Sequence, residues 1–213
     1  MSDQPLAQAL VLGLTELGLS LNQHQQRQLL DYLAELHKWN RAYNLSAVRD
    51  PQAMLYRHLL DSLSVLPQVA AKAPRRLIDV GTGGGLPGLP LAIALPDTQV
   101  SLLDSNGKKC RFLFHIKTRL GLDNVTVIQD RSQAHRPDSG YDLVISRAFA
   151  SLADILVASA HLVAKDGVIF AMKGVYPEQE LAEVGHQVDL IGSHSLQVPG
   201  NEGERHLLEL KLR

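Results

Sequence analysis

Residues 76–96 read RLIDVGTGGGLPGLPLAIALP. A short apolar run carries one acid, Asp79, breaks into Gly81, Gly83, Gly84 and Gly85, and then resumes with leucines. An apolar strand that enters a glycine turn and leaves as an apolar helix has few structural homes. It suits the first strand of a parallel sheet, where ligands bind beyond the carboxyl ends of the strands. Glycines let the chain turn sharply and leave no Cβ between the main chain and a ligand. A helix starting near Leu86 presents free N–H groups to the same space. Asp79, set inside an apolar strand, needs a partner.

The rest of the chain agrees with that placement. After residue 76, apolar strands alternate with helical segments: TQVSLLD, then NGKKCRFLFHIKTRLG, then NVTVIQD, GYDLVISRA, SLADILVASAHLVA and GVIFAMKG. Residues 177–185 read as a short helix. Alternation of this kind predicts an α/β fold with a mostly parallel sheet covered on both faces. The last two strands, HQVDLIGSHSLQV and RHLLELKLR, have only a PGNEGE turn between them. They are expected to pair antiparallel at one edge.

Before residue 73 the pattern is helical. Residues 4–18 and 21–39 carry leucines at helical spacing, with Asn22 as an N-cap for the second. WNRAYNLSAVRDP is expected to be a connection, and a third helix starts at Pro51 with Asp50 as its cap. AKAPRR reads as a linker. The division is therefore a helical extension, 1–72, and a ligand-binding domain, 73–213, packed as one compact unit.

Bulk properties exclude several classes. The chain has 213 residues and a net charge of −1, so any polyanion must be met by a local patch. One cysteine, Cys110, rules out an internal disulfide and fits a reducing, cytoplasmic setting. No apolar run approaches the ~20 residues of a membrane span. The nine histidines have no i, i+4 pairing, so no metal site is expected.

Two ligand classes use a strand–glycine–helix turn. Gly83, Gly85 and Gly88 fit the dinucleotide spacing G-x-G-x-x-G, which points weakly to an NAD-binding oxidoreductase. Asp79-Val80-Gly81-Thr82-Gly83-Gly84-Gly85 also matches, at every fixed position, the [DE]-x-G-x-G-x-G signature of S-adenosylmethionine-dependent methyltransferases. Charge favours the second. S-adenosylmethionine carries an ammonium and a sulfonium and no phosphate, and a carboxylate beside the loop attracts such a cation and repels a pyrophosphate. Asp79 can alternatively accept hydrogen bonds from the loop itself. Asp104 ends the second strand, where an acid accepts from ribose hydroxyls; its other reading is a cap for the next helix. Ser132 and Gln133, after the third strand, can flank an adenine. Arg147, after the fourth, can reach a cofactor carboxylate, a phosphate or a base, or form a surface ion pair. Lys108, Lys109, Arg111, Lys117 and Arg119 crowd one segment, and Arg41, Arg49, Arg57 and His58 another. Trp39 and Tyr43 can stack on a base or serve as packing.

Several words in order, WNRAYNLSAV, RHLLDS, IDVGTGGGLPGLPLAI, LLDSNGKKCRFL, VISRAFASL, MKG and GERHL, resemble the bacterial 16S ribosomal RNA guanine-N7 methyltransferase G family, once called glucose-inhibited division protein B. The resemblance runs from about residue 20 to residue 207. It implies a class I methyltransferase fold with an N-terminal helical extension, bound S-adenosylmethionine, and methylation of a guanine in the decoding-region loop of 16S rRNA, free or within the small subunit. It maps cofactor positions onto Gly81, Leu86, Ser132, Gln133 and Arg147. Asp79, Gly83, Gly85 and Asp104 join them from the motif. Where members often read G-x-G-P-G, this chain has Gly84, and where an acid is common beside the adenine it has Gln133. A methyltransferase of a small molecule or protein is the alternative that the glycine loop leaves open.

Overall fold

The computed structural model describes residues 4–147, 149 and 151–213. Seven strands form one sheet: β1 (Arg76–Val80), β2 (Gln99–Asp104), β3 (Val125–Gln129), β4 (Tyr141–Ser146), β5 (Val163–Lys173), β6 (Val188–Ser195) and β7 (His206–Leu212). Their spatial order is β3-β2-β1-β4-β5-β7-β6. β1 to β5 pair in parallel. β7 enters between β5 and β6 and runs antiparallel to both. The terminal hairpin is thus at the edge, as its short turn predicts, with its second strand on the inside. The order reverses beside β1, so the chain leaves β1 and β4 in opposite directions and opens a crevice at their carboxyl ends.

Strand periodicity sorts the core into two layers. Leu77, Leu102, Leu143, Ile145 and Phe170 face one side. Ile78, Val80, Leu103, Val144 and Ile169 face the other, under α8 (Leu152–Ser159) and α9 (Glu178–Val184). The first layer is shared with α6 (Gly88–Ala94), α7 (Gly107–Leu120) and the N-terminal helices α1 (Gln4–Glu16) and α2 (Gln23–Tyr43). Asp79 has the parity of Leu77. Its carboxylate therefore points into the layer that the helical extension covers.

The extension departs from its sequence reading in three places. α2 runs on to Tyr43, through the start of the expected connection, and ends with Asn44 in the left-handed region at φ 50°. Its N-terminus is capped by Asn22 and Gln25 in a reciprocal pair, the cap that Asn22 predicts. The third helix is composite. Asp50 caps α3 (Pro51–Met54), a π-helical stretch follows at Leu55–Leu60, then α4 (Asp61–Leu63) and α5 (Leu66–Lys72). Wider turns of this kind often mark functional positions. Here Leu59, Leu60, His58 and Asp61 are all buried. Of the expected AKAPRR linker, Ala71 and Lys72 still belong to α5 and Arg76 already begins β1, so the connection itself is only residues 73–75. Later in the chain, the helix of SLADILVASAHLVA stops at Ser159 and passes through a 3₁₀ turn, because Val163 already pairs with Tyr141 as the start of β5. Among the described residues no helix is long and apolar enough to cross a membrane.

What positions the site is the seat of α2 on the glycine turn. The Tyr32 side chain is fully buried and its hydroxyl donates to the Gly84 carbonyl at 2.7 Å. A Cβ at Gly84 would lie 3.2 Å from Leu36 Cδ1, a contact that a small shift of the leucine end would have to relieve. Lower on the helix, Glu35 meets His115 (2.8 Å) and Arg119 (3.4 Å) of α7. Burial works to raise the Glu35 carboxyl, but His115, Lys38 and Arg119 outweigh it and hold it below the usual value. We expect Tyr32→Phe to leave a buried carbonyl without its donor and to lower stability by about 1–3 kcal/mol, read by denaturant unfolding. A loss of under about 0.3 kcal/mol would mean that α2 does not hold the turn.

Candidate active site

The turn after β1 is built on left-handed backbone at Gly81 (φ 73°), Gly83 (φ 62°) and Gly85 (φ 93°). Gly81 and Thr82 donate their N–H groups to Leu103 O at 2.9 and 3.1 Å, which ties the turn to β2. Asp79 braces it from below. Its Oδ2 accepts the Thr82 hydroxyl at 2.6 Å and the Gly88 N–H at 2.8 Å, at the start of α6. Its Oδ1 is buried without a hydrogen-bond partner among the described residues. Burial pushes the carboxyl up to about 6, against the pull of the Thr82 and Gly88 bonds. Asp79 has no exposed surface, so its contacts are with the loop.

Two hollows open at the crevice. The first, about 460 Å³, is lined by Val80, Gly81, Leu103, Asp104, Ser105, Lys109, Asp130, Arg131, Ser132, Gln133 and Phe149. It gathers four of the cofactor residues expected from sequence, Gly81, Asp104, Ser132 and Gln133, together with Lys109 of the expected basic segment. Asp104 is fixed in place by three groups. Its Oδ2 accepts the Gly83 N–H at 2.9 Å, its Oδ1 accepts the Asn106 N–H at 2.8 Å, and Lys109 Nζ lies 3.5 Å away. The cap of α7 is Asn106, through Lys108 and Lys109 N–H groups, so Asp104 is left to face the hollow. Gly83 thus contributes by orienting Asp104. Gly85 and Leu86 are buried and do not line this hollow.

The second hollow, about 450 Å³, lies beside the ends of β4 and β5 and shares Phe149 with the first. Arg147 is here. It is no surface ion pair: its Nη1 donates at 2.7 Å to Asp61 Oδ2, and the Asp61 side chain is only 5% exposed. Arg205 Nε holds the other oxygen, Oδ1, at 2.9 Å. Arg57, Lys173 and Met172 complete much of the wall. Asp61, Lys173, Phe149 and Arg205 were not singled out from sequence. Asp61 had a visible signal, an acid in the apolar run LYRHLLDSLSVL that requires partners. Arg205 lies in the word GERHL of the resemblance but had no local physical signal, since its pairing spans 144 residues.

Of the basic and aromatic candidates, several are already engaged. Trp39 stacks on Tyr43 with ring centres 5.1 Å apart and packs on Phe112 and His115, which makes it part of the α2–α7 contact. His58 is buried, hydrogen-bonded to Ser46 (2.6 Å) and to Arg57 O (2.9 Å). Burial and the Arg147 charge lower its pKa, so it carries no charge for RNA near neutral pH. Arg49 donates to Asn40 O and Asn44 Oδ1. Arg57 faces the second hollow, and Lys108 and Arg111 are exposed on α7.

The first hollow suits a nucleoside bearing a positive charge. Bare main chain at Gly81 allows close approach, the Asp104 carboxylate is oriented as an acceptor for vicinal hydroxyls, and Asp79 below the turn has an unpartnered oxygen. By architecture the chain is similar to an O-methyltransferase from Bacillus cereus solved in complex with SAH, with a TM-score of 0.60, 18% identity, and 86% of this chain and 91% of that one covered. It is also similar to a ribosomal protein L11 methylase from Lactobacillus delbrueckii subsp. bulgaricus, with a TM-score of 0.54, 19% identity, and 72% and 77% covered. These likenesses establish the class I S-adenosylmethionine-dependent methyltransferase fold, with its antiparallel edge hairpin. By sequence, the ribosomal RNA small subunit methyltransferase G of Cellvibrio japonicus is 53% identical over 209 residues, 97% of this chain and 95% of that protein. The protein of the same name from Pseudomonas aeruginosa is 51% identical over 205 residues, 96% and 95% of the two chains. The family model for rRNA small subunit methyltransferase G matches residues 25–208, which span both hollows, the glycine turn and all but the first of the N-terminal helices, and the chain belongs to that family.

Proposed function

We propose that this protein methylates N7 of a guanine in the decoding-region loop of 16S rRNA, with S-adenosylmethionine as donor, in the cytoplasm. The observation that carries the reading is the pair of hollows at the β1/β4 crevice. One offers bare main chain at Gly81 beside the Asp104 carboxylate, the other is rich in cations, and Phe149 is common to both. The names of the relatives support the substrate.

In this reading Gly81, Asp104, Ser132 and Gln133 contact the donor's adenosine. Gly83 and Gly85 shape the turn, Leu86 packs beneath it, and Asp79 supplies negative potential toward the donor's cationic end. Arg147 positions the RNA or the donor carboxylate at the border of the two hollows. The helical extension, 1–72, and the sheet domain, 73–213, act as one unit, since Asp61 of the first closes the site of the second.

S-adenosylmethionine supplies a methyl group on a sulfonium. Guanine N7 has a lone pair and no proton, so the transfer needs no general base. The work of the residues is to hold N7 in line with the methyl and to exclude water. The base gains positive charge during transfer, so Arg147 serves by holding an anion, and its tie to Asp61 keeps its charge partly neutralised. In A-form RNA the major groove, where N7 lies, is too deep and narrow for side chains. The target guanine must therefore be splayed from a loop, as naked rRNA, a subunit or an assembly intermediate presents it.

Three outcomes are expected. Protein incubated with labelled donor should transfer label to one guanine of 16S rRNA or of small subunits; label on a small molecule or protein instead would refute the reading. Arg147→Ala should weaken donor or RNA binding by about tenfold, and unchanged affinity for both would remove its role. The third concerns pH. Asp79 is raised to about 6, and a bound cation favours its ionised form, so donor binding releases a proton in acid. Donor affinity should fall as pH drops below about 6 and stay flat above it. In Asp79→Asn that step should vanish. An identical acid profile in both proteins would show that Asp79 braces the loop and nothing more.

A further inference from the structure

We infer that Asp61 is a positioning residue that turns Arg147 and Arg205 into a two-armed clamp for a phosphate of the RNA strand beside the target guanine. The inference rests on the rRNA reading above and names how the second hollow takes its substrate.

Four cationic side chains, Arg57, Arg147, Lys173 and Arg205, line the hollow with one carboxylate, Asp61. Lys173 is compensated by Glu180 at 2.9 Å. Asp61 uses both oxygens, one for each guanidinium, at 2.7 and 2.9 Å. It accepts Nη1 of Arg147 and Nε of Arg205. Nη2 of each guanidinium makes no hydrogen bond among the described residues, and neither side chain is fully buried, at 26% and 33% exposure. Arg57 is exposed, and its side chain makes no hydrogen bond or ion pair among them. Two planar donors held by one buried carboxylate have already lost the rotamer freedom that a mobile arginine loses on binding. Arg147 keeps its Nε–Nη2 edge unbonded among the described residues, a fork that matches two phosphate oxygens, while Arg205, whose Nη1 donates to Glu204 O at 2.7 Å, offers Nη2.

An alternative anion is the donor's own carboxylate. It carries one charge, whereas the hollow retains a surplus of cations after Asp61 and Glu180 are counted. The hollow is also a separate volume from the one that holds Asp104, with Phe149 between them. A phosphate of the strand that delivers the base fits both facts. The clamp joins three distant segments: α4 of the extension, the end of β4 and the start of β7. Its formation therefore requires the complete fold.

The test uses the full chain with 16S rRNA or small subunits. RNA affinity is measured against salt concentration, methylation by steady-state kinetics, and donor affinity by titration calorimetry. Variants are Arg57→Gln, Arg205→Gln, Arg205→Lys and Asp61→Asn. Arg57→Gln and Arg205→Gln should each lower the slope of log affinity against log salt by about one. Arg205→Gln should raise the RNA KM about tenfold with donor affinity unchanged, and Arg205→Lys should restore the slope but not the KM. Asp61→Asn is the sharpest case. Removing a negative charge near a phosphate should tighten RNA binding if charge alone matters. A clamp that has lost its holder should instead bind RNA about tenfold more weakly. Tighter or unchanged RNA binding in Asp61→Asn overturns the inference, as does an unchanged salt slope in Arg57→Gln, whose exposed side chain makes it safe for folding. Loss of donor affinity in Arg205→Gln with an unchanged RNA slope assigns the clamp to the donor carboxylate and also overturns it. A parent protein that binds 16S rRNA without methylating it refutes the functional reading while the salt slopes still decide the clamp. A parent that does not bind RNA refutes both.

Discussion

A single buried carboxylate governs the geometry of the crevice. Asp79 sits on the covered face of β1 and receives the Thr82 hydroxyl and the Gly88 N–H on one oxygen. Those two bonds span the glycine turn from its second residue to the start of α6. Together with the Gly81 and Thr82 N–H bonds to Leu103 O, they pin a loop of left-handed backbone to the sheet and to α6. A buried carboxylate without full hydrogen bonding is costly, and burial accordingly raises its pKa. That cost is offset by the packing of the extension, since Tyr32 and Leu36 of α2 close over the same turn. The helical extension is thus part of the wall of the site rather than an accessory to it.

The two faces of the sheet divide the labour. The face under α8 and α9 is an ordinary apolar layer. The other face carries the extension and nearly all the buried polar groups near the crevice, Asp79, Thr82, His58 and Asp61 among them. Some polar groups buried in that layer are paired locally, as Asp79 is by Thr82 and Gly88, and others from remote segments, as Asp61 is by Arg147 and Arg205. Asp104, held by Gly83 and Asn106 N–H groups, and Asp61, held by Arg147 and Arg205, follow the same logic at opposite ends of the crevice. A chemistry that needs alignment and no proton transfer is well served by rigid, pre-paired groups.

The sequence by itself determined the alternation of strands and helices, the antiparallel terminal hairpin, the glycine turn, and the caps at Asn22 and Asp50. These are local matters: side-chain period, backbone freedom and capping chemistry are written within a few residues of where they act. It also brought Gly81, Asp104, Ser132 and Gln133 to notice, because each lies at the carboxyl end of a strand, where sheet topology alone gathers residues. Tertiary structure decided the rest. That Asp79 turns to the covered layer depends on what α2 and α6 pack there. That Trp39 packs on α7, and that His58 is buried with its pKa lowered, depends on how α2 seats on α7 and on the π-helical stretch, neither of which a local pattern announces. The insertion of β7 between β5 and β6 and the meeting of Asp61 with Arg147 and Arg205, 86 and 144 positions away, follow from how the whole chain closes. Contacts across such separations are chosen by the packing of complete layers, and a linear pattern carries no record of them.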